Sequence, residues 1–136
     1  MTAVNYQPAG VASPSKGALW TGRVLSALPV LLLIMSATMK LLKVHAAVEG
    51  FKQFGWPENL LVALGMIELS CAILYVIPVT SVLGAILVTG YLGGAVATHF
   101  RMNDIQAINA VVLGILVWLG LFLREPRLRS LIPLRR

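Results

Sequence analysis

The sequence is poor in charge and in the residue types that build most catalytic and metal sites. Only 12% of its 136 residues are charged, whereas a typical soluble domain has about 25%. Cys71 is the single cysteine, which excludes an internal disulfide and a multi-cysteine metal site. His45 and His99 are the only histidines, which argues against a dedicated metal or haem site. We therefore expect no resident cofactor.

Hydrophobic residues are abundant instead. They make up 58% of the chain, and the mean hydropathy is +0.86. One domain of this length could not bury so much apolar surface in water, so the bilayer is the expected solvent. The formal net charge of +6 does not indicate nucleic-acid binding, because the basic residues lie at the ends of apolar runs rather than on one soluble face.

Four apolar segments are long enough, or nearly long enough, to cross a hydrocarbon core of about 30 Å. They run from Trp20 to Thr38, from Asn59 to Ile77, from Val79 to His99, and from Ala107 to Leu123. The sequence thus predicts an all-α integral membrane four-helix bundle, with membrane lipid as a partner.

The connections support this bundle. Pro78 separates the second and third segments so briefly that these must be antiparallel neighbours, and Val79-Thr80-Ser81 offers an N-cap for the third. The loop from Met39 to Glu58 places apolar residues at helical spacing, with polar residues between them, which predicts a short amphipathic helix. Its apolar positions are Leu41, Val44, Val48 and Phe51.

The two ends of the chain differ from this core. Residues 1–17 contain Pro, Gly and Ser without an apolar period, so a flexible tail is expected, followed by a transmembrane domain over residues 18–124. The first span is expected to be retained rather than cleaved as a signal peptide, because no clear A-x-A site follows it. Residues 125–136 form a basic tail, expected to touch anionic lipid headgroups, with docking to a partner protein as the alternative.

Charge distribution predicts the orientation. Seven basic residues lie on the face that carries both termini and the Pro78 turn: Lys16, Arg23, Arg124, Arg127, Arg129, Arg135 and Arg136. The other face has four, partly offset by Glu49, Glu58 and Asp104. The positive-inside rule then places both termini in the cytoplasm and the chain in the inner membrane as a multi-pass protein.

Glu68 is the first candidate for a functional side chain, because a carboxylate near the centre of a span costs at least a few kcal/mol. It could be a hydrogen-bonded packing residue, a proton relay, a ligand contact or an ion-pair partner. Cys71 and Tyr75 share its helix face and complete a polar stripe. Glu68 lies roughly 13 Å below the outer boundary at 1.5 Å per residue, so a water-linked network with Lys40 or Arg101 is favoured over a direct bridge.

Other polar candidates gather at the outer ends of the helices. Tyr91 lies on the third span, His99 and Arg101 at its rim, and Asn109 near the start of the fourth. Lys40 is expected to extend toward the interface. Gly90, Gly93 and Gly94 form a small-residue stripe that favours close packing against another helix.

The order of these motifs is similar to that of the DoxX-like family. The resemblance rests on Met39-Lys40-Leu41, Phe54-Gly55-Trp56-Pro57, Gly65-x-x-Glu68-Leu69, Ile77-Pro78 and TGYLGGAVATHFR over residues 89–101. It implies a small bacterial four-helix membrane protein, with Lys40, Glu68, Tyr91, His99 and Arg101 at motif positions. The wider group resembles the membrane subunit of a thiosulfate:quinone oxidoreductase, and some relatives act as assembly factors. No residue pattern here binds a redox centre, so electron transfer would need a partner or a bound quinone.

Three functions remain open on this basis. The first is an accessory subunit of a membrane redox system with a quinone or lipophile site. The second is a purely structural or assembly subunit that packs on other membrane proteins or on itself, motivated by the small-residue stripe. The third, a small transporter, has the least support, because four spans leave little room for alternating access and no inverted repeat is present.

Overall fold

Helices are the only regular secondary structure in residues 13–129, the part of the chain that the computed structural model describes. The helices are α1 (Lys16–Leu41), α2 (His45–Gln53), α3 (Leu60–Val76), α4 (Ser81–Arg101), α5 (Ala107–Arg124) and the short α6 (Pro126–Arg129). Most of the predicted tails, residues 1–12 and 130–136, lies outside the described residues. The predicted all-α bundle and its amphipathic loop helix are confirmed.

Local sequence explains where the helices end around the loop helix. α1 continues to Leu41, beyond the predicted limit at Thr38, and Lys43 then takes a positive φ of 49° that turns the chain into α2. After α2, Gly55 takes a φ of +71°, a conformation that glycine adopts without a steric penalty. These two turns fold α2 back over one end of the bundle.

The turn at Pro78 is as short as predicted, but its hydroxyl groups act differently. Residues Pro78–Thr80 form one turn of 3-10 helix. The Thr80 side chain makes no N-cap hydrogen bond to α4; its hydroxyl donates to the carbonyl of Leu74 at 2.8 Å. Ser81 likewise donates to the carbonyl of Pro78 at 3.0 Å. Thr80 thus occupies the predicted N-cap position, but its hydroxyl makes no capping bond, because it satisfies the Leu74 carbonyl that Pro78, lacking an N–H, leaves open.

The four long helices close into a ring in the order α1, α3, α4, α5, and each packs against its two neighbours. All neighbouring pairs are antiparallel. One end of the bundle, the terminal end, holds the start of α1, the Pro78 turn and the end of α5. The opposite end, the α2 end, holds α2 and the loop between α4 and α5.

Glycines allow the closest helix contacts, at positions outside the predicted stripe. A Cβ on Gly22 of α1 would lie 2.9 Å from the carbonyl oxygen of Gly120 on α5. Gly84 makes a similar contact between α4 and the backbone of α3 at Tyr75. On Gly65 of α3, a Cβ would lie 3.1 Å from the Cβ of Lys40. Larger residues at these positions would separate the backbones.

The predicted packing glycines face open space instead. A Cβ on Gly90, Gly93 or Gly94 would meet no atom within 4 Å among the described residues. These three glycines therefore do not hold the bundle together internally. Their packing against another protein stays a prediction.

The polarity of the surface is that of a protein in lipid. Large apolar side chains such as Trp20 and Leu31 are 65% exposed, whereas the interior contains the polar side chains of Ser26, Glu68 and Ser81. Among the described residues, α1, α5 and α4 with the preceding turn are long and apolar enough to cross a membrane. α3 is a shorter apolar helix of 17 residues, with a length of about 26 Å at 1.5 Å per residue.

Candidate functional site

A buried ion pair between Lys40 and Glu68 joins α1 to α3 near the α2 end. Lys40 Nζ donates to Glu68 Oε2 at 2.7 Å and to the hydroxyl of Ser36 at 2.6 Å. The Ser36 hydroxyl donates to the same Glu68 oxygen at 3.3 Å. The side chain of Glu68 is only 3% exposed and that of Lys40 15%, so each charge depends on the other for its stabilisation.

This direct pair corrects two sequence-based expectations, the water-linked network and an outward-reaching Lys40. α1 continues through Lys40, so the ammonium group starts from a helical position rather than from a loop. Gly65 lies one turn before Glu68, and its missing side chain lets α1 approach α3 closely at Lys40. The extra helical turn and the close approach together bring the two charges into contact.

Tyr91 adds a third helix to this centre. The Lys40 Nζ lies 5.8 Å from the centroid of the Tyr91 ring, within cation–π range. Tyr91 also interacts electrostatically with Glu68. Three motif positions predicted from sequence therefore meet at one point, where α1, α3 and α4 face each other.

A cavity of about 530 Å³ opens beside this centre, within the roughly 300–1,000 Å³ range of ligand sites. Its lining comes from α1, α2, α3, α4 and the segment between α2 and α3. The polar part contains Lys40, Ser36, Tyr91, Thr98 and His99. The large apolar lining residues are Met35, Met39, Phe51, Phe54, Trp56 and Leu64. We call this space the Lys40 cavity; Gly90 and Gly94 leave room for it on α4.

The edge of the Lys40 cavity at the α2 end is held by a set of polar and aromatic contacts. His99 Nδ1 lies 2.8 Å from Asp104 Oδ2, and its ring packs edge-on against Phe54 with the centroids 4.8 Å apart. Arg101 donates to the carbonyl of Phe54. These contacts connect the end of α4 to the segment that follows α2.

Asp104 is the anionic member of this set. A hydrogen bond from the backbone N–H of Gln106 and the contact with His99 lower the pKa of the Asp104 carboxyl below its usual value. The carboxylate therefore stays charged at neutral pH and can orient the His99 ring at the edge of the Lys40 cavity.

Two predicted site residues lie away from the Lys40 cavity. Tyr75 shares the buried face of Glu68 and Cys71, as predicted, but it lies about 10 Å further along α3. Its hydroxyl donates to the carbonyl of Val117 at 2.8 Å and lies 2.9 Å from the Ser26 hydroxyl. Asn109 is exposed on the first turn of α5 and does not line the cavity.

Several lining residues were not predicted from the sequence. Ser36 precedes Lys40 by four residues, so the shared helix face was visible in the spacing, but serine is common in membrane helices and gives no functional indication by itself. Phe54 and Trp56 belong to the segment that α2 folds over the bundle. Their placement depends on the positive φ of Gly55 and on contacts distant in sequence.

No three His, Cys, Asp or Glu side chains within residues 13–129 lie close enough together to bind a metal ion. The arrangement that the described residues do form is a partly apolar cavity with a buried cation at one side. Its chemistry suits a lipophilic molecule that carries a hydrogen-bond acceptor.

Helix lengths, the apolar surface and the ring of antiparallel helices define an all-α membrane bundle. A family model for the DoxX-like family matches residues 24–120, well over half of the chain. The chain therefore belongs to the DoxX-like family, as its motifs predict. Comparisons with curated proteins and with solved structures gave no match.

Proposed function

We propose that this protein binds a lipophilic molecule with a quinone-like headgroup in the Lys40 cavity and serves as an accessory subunit of a membrane redox system. The observation that carries the proposal is the third donor of Lys40. An ammonium group has three N–H donors, and two of them bind Ser36 and Glu68. No nitrogen or oxygen acceptor within residues 13–129 takes the third.

A ligand carbonyl is the natural acceptor for that donor. Lys40 lies beside Tyr91 at one side of the cavity and can donate to a carbonyl oxygen there, while Glu68 compensates the ammonium charge from behind. Methionine and aromatic side chains on the other walls favour a flat, apolar ring. His99 lies eight residues beyond Tyr91, about 12 Å along α4. It therefore borders the end of the cavity and does not reach the ligand carbonyl that Lys40 binds.

The side chains that line the Lys40 cavity can hold and orient a ligand but are not redox groups. The proposed role in electron transfer therefore requires a partner subunit. In this proposal the protein crosses the inner membrane four times, with both termini in the cytoplasm. The excess of basic residues at the terminal end supports that orientation. Reporter fusions at both termini and in the α4–α5 loop test it, and a periplasmic signal from either terminus would contradict it.

The binding proposal is tested with two glycine variants on one helix. Gly94 lines the Lys40 cavity, whereas the adjacent Gly93 lines a different groove. A Cβ meets no atom within 4 Å at either position, so both leucine variants are expected to fold. Quenching of Trp56 fluorescence by a short-chain ubiquinone analogue, in lipid nanodiscs and in a background that carries Trp20→Phe and Trp118→Phe, measures binding.

Gly94→Leu is expected to weaken quinone binding at least tenfold, because its side chain enters the cavity, while Gly93→Leu should bind as the wild type does. The double variant Lys40→Met/Glu68→Gln, which removes both charges together, should also lose binding. Equal quenching in all four proteins, or none in the wild type, would remove the basis of the proposal.

A structural or assembly role is the second candidate, and the open space at Gly90, Gly93 and Gly94 favours it. Here the stripe packs against another membrane subunit or a second copy of the chain. Purification of wild type and Gly94→Leu from native membranes, followed by mass spectrometry, separates the two candidates. Loss of a stoichiometric membrane partner in Gly94→Leu, with quinone binding unchanged, supports the structural role.

A further inference from the structure

A second cavity, of about 540 Å³, follows the junction of α4 and α5 and is separate from the Lys40 cavity. We call it the α4–α5 groove. Gly93 on one side and Gly114 on the other make room for it; a Cβ at Gly114 would meet only the end of the Leu92 side chain, at 3.9 Å. Ile115, which also lines the groove, is 53% exposed, so the groove opens on the outside of the bundle.

The dimensions and the lining of the groove match one acyl chain. On α5 the lining runs from Ala110 to Phe122, about 18 Å at 1.5 Å per residue. Half of a hydrocarbon core of about 30 Å is similar in length. The indole N–H of Trp118 donates to the Thr89 hydroxyl at 2.8 Å, so this wall directs no unsatisfied donor at a hydrocarbon occupant.

The terminal end of the groove is basic. Leu128 of α6 lines the groove and is 5% exposed. Arg129, on the same short helix, lies over the Phe122 ring at 5.7 Å and donates to the carbonyls of Phe122 and Leu123. From residue 124 to residue 129 the chain carries three arginines and one glutamate. The apolar groove thus ends beside a net positive charge.

We propose that the α4–α5 groove binds one acyl chain of an anionic phospholipid, whose phosphate lies beside Arg127 and Arg129. Any lipid can fill an apolar groove, so the arginines determine the selectivity. Guanidinium groups bind phosphate oxygens through charge-assisted hydrogen bonds, and an anionic headgroup retains the net charge that a zwitterionic one lacks. This site is independent of the Lys40 cavity and of the quinone proposal.

Native mass spectrometry of protein reconstituted with equal amounts of phosphatidylglycerol and phosphatidylcholine of identical chains tests the site. The wild type is expected to retain phosphatidylglycerol preferentially. Arg127→Gln/Arg129→Gln should lower that preference at least tenfold, because both guanidinium groups beside the bound headgroup lose the charge that distinguishes the two lipids. Lys16→Gln/Arg23→Gln removes the same charge from α1 at the same end and should keep the preference.

The same two glycine variants test the groove, with Gly93→Leu now as the test variant and Gly94→Leu as its control. Gly93→Leu should lose the retained lipid, and Gly94→Leu should keep it, with helix content by circular dichroism confirming that both fold. The proposal is overturned by equal retention of the two lipids in the wild type, or by equal losses in the two double variants, which would indicate general surface attraction. Retention in Gly93→Leu, or a dimer without lipid, would overturn it as well.

Discussion

The Lys40–Glu68 pair makes a quantitative prediction, because each charge is buried and has the other as its main partner. Lys40→Met leaves a carboxylate that is only 3% exposed without a cation. Removing one partner of a buried ion pair leaves an uncompensated charge, which typically costs about 3–5 kcal/mol. We therefore expect Lys40→Met to lower the free energy of unfolding by about this amount.

Removing the carboxylate instead of the ammonium group should lower the free energy of unfolding by less. Glu68→Gln leaves an ammonium group at the edge of a cavity, on a flexible side chain that is 15% exposed, so the expected loss is about 1.5–3 kcal/mol for the charged hydrogen bond. The double variant Lys40→Met/Glu68→Gln has no unpaired charge and should lose less than the sum of the two. A double-mutant cycle should yield a coupling of about 2–3 kcal/mol.

Unfolding by dodecyl sulfate in bicelles, followed by tryptophan fluorescence, measures all four proteins. Additive effects of the two single variants, with no coupling in the cycle, would refute a direct buried pair.

Further predictions concern packing, the terminal end and the loop. Gly84→Ala should destabilise the bundle strongly, because its Cβ meets the α3 backbone, whereas Gly94→Ala should gain up to about 1 kcal/mol of helix propensity; thermal unfolding compares them. Tyr75→Phe should cost about 1–3 kcal/mol in the same assay, since it removes the buried hydrogen bonds to the Ser26 hydroxyl and the Val117 carbonyl. The pKa of Asp104 is lowered by the Gln106 N–H and by His99, so its stabilising effect is present above pH 3.8 and lost on acidification through the lowered pKa; acid titration of Asp104→Asn should lack this loss, and an unchanged titration would contradict the contact.

The sequence predicts the helices well because the bilayer requires long apolar segments whose backbone groups bond internally. The loop helix also follows from local spacing, and its range lies inside the predicted loop. The predicted first span ends three residues before α1 does, since polar residues such as Lys40 mark a boundary in hydropathy although they can continue a helix. Because of those three residues, the sequence does not predict the direct pair between Lys40 and Glu68.

Packing glycines were harder to identify. Gly90 and Gly94 match a small-xxx-small motif, yet a Cβ on either would meet open space. The backbones do approach closely at Gly22 and Gly120, which lie 98 positions apart in the sequence. A motif within one helix reports only that one face is small; which helix approaches that face depends on the whole bundle.

The sequence by itself determined that this chain is an all-α membrane protein of the DoxX-like family, because apolar length, the Pro78 turn and motif order are local properties of the chain. Only the tertiary structure decided that Lys40 meets Glu68, that Tyr91 joins them, and that Tyr75 bonds elsewhere. Those outcomes depend on which helices are neighbours and how closely a residue such as Gly65 lets their backbones approach, and no single segment carries that information.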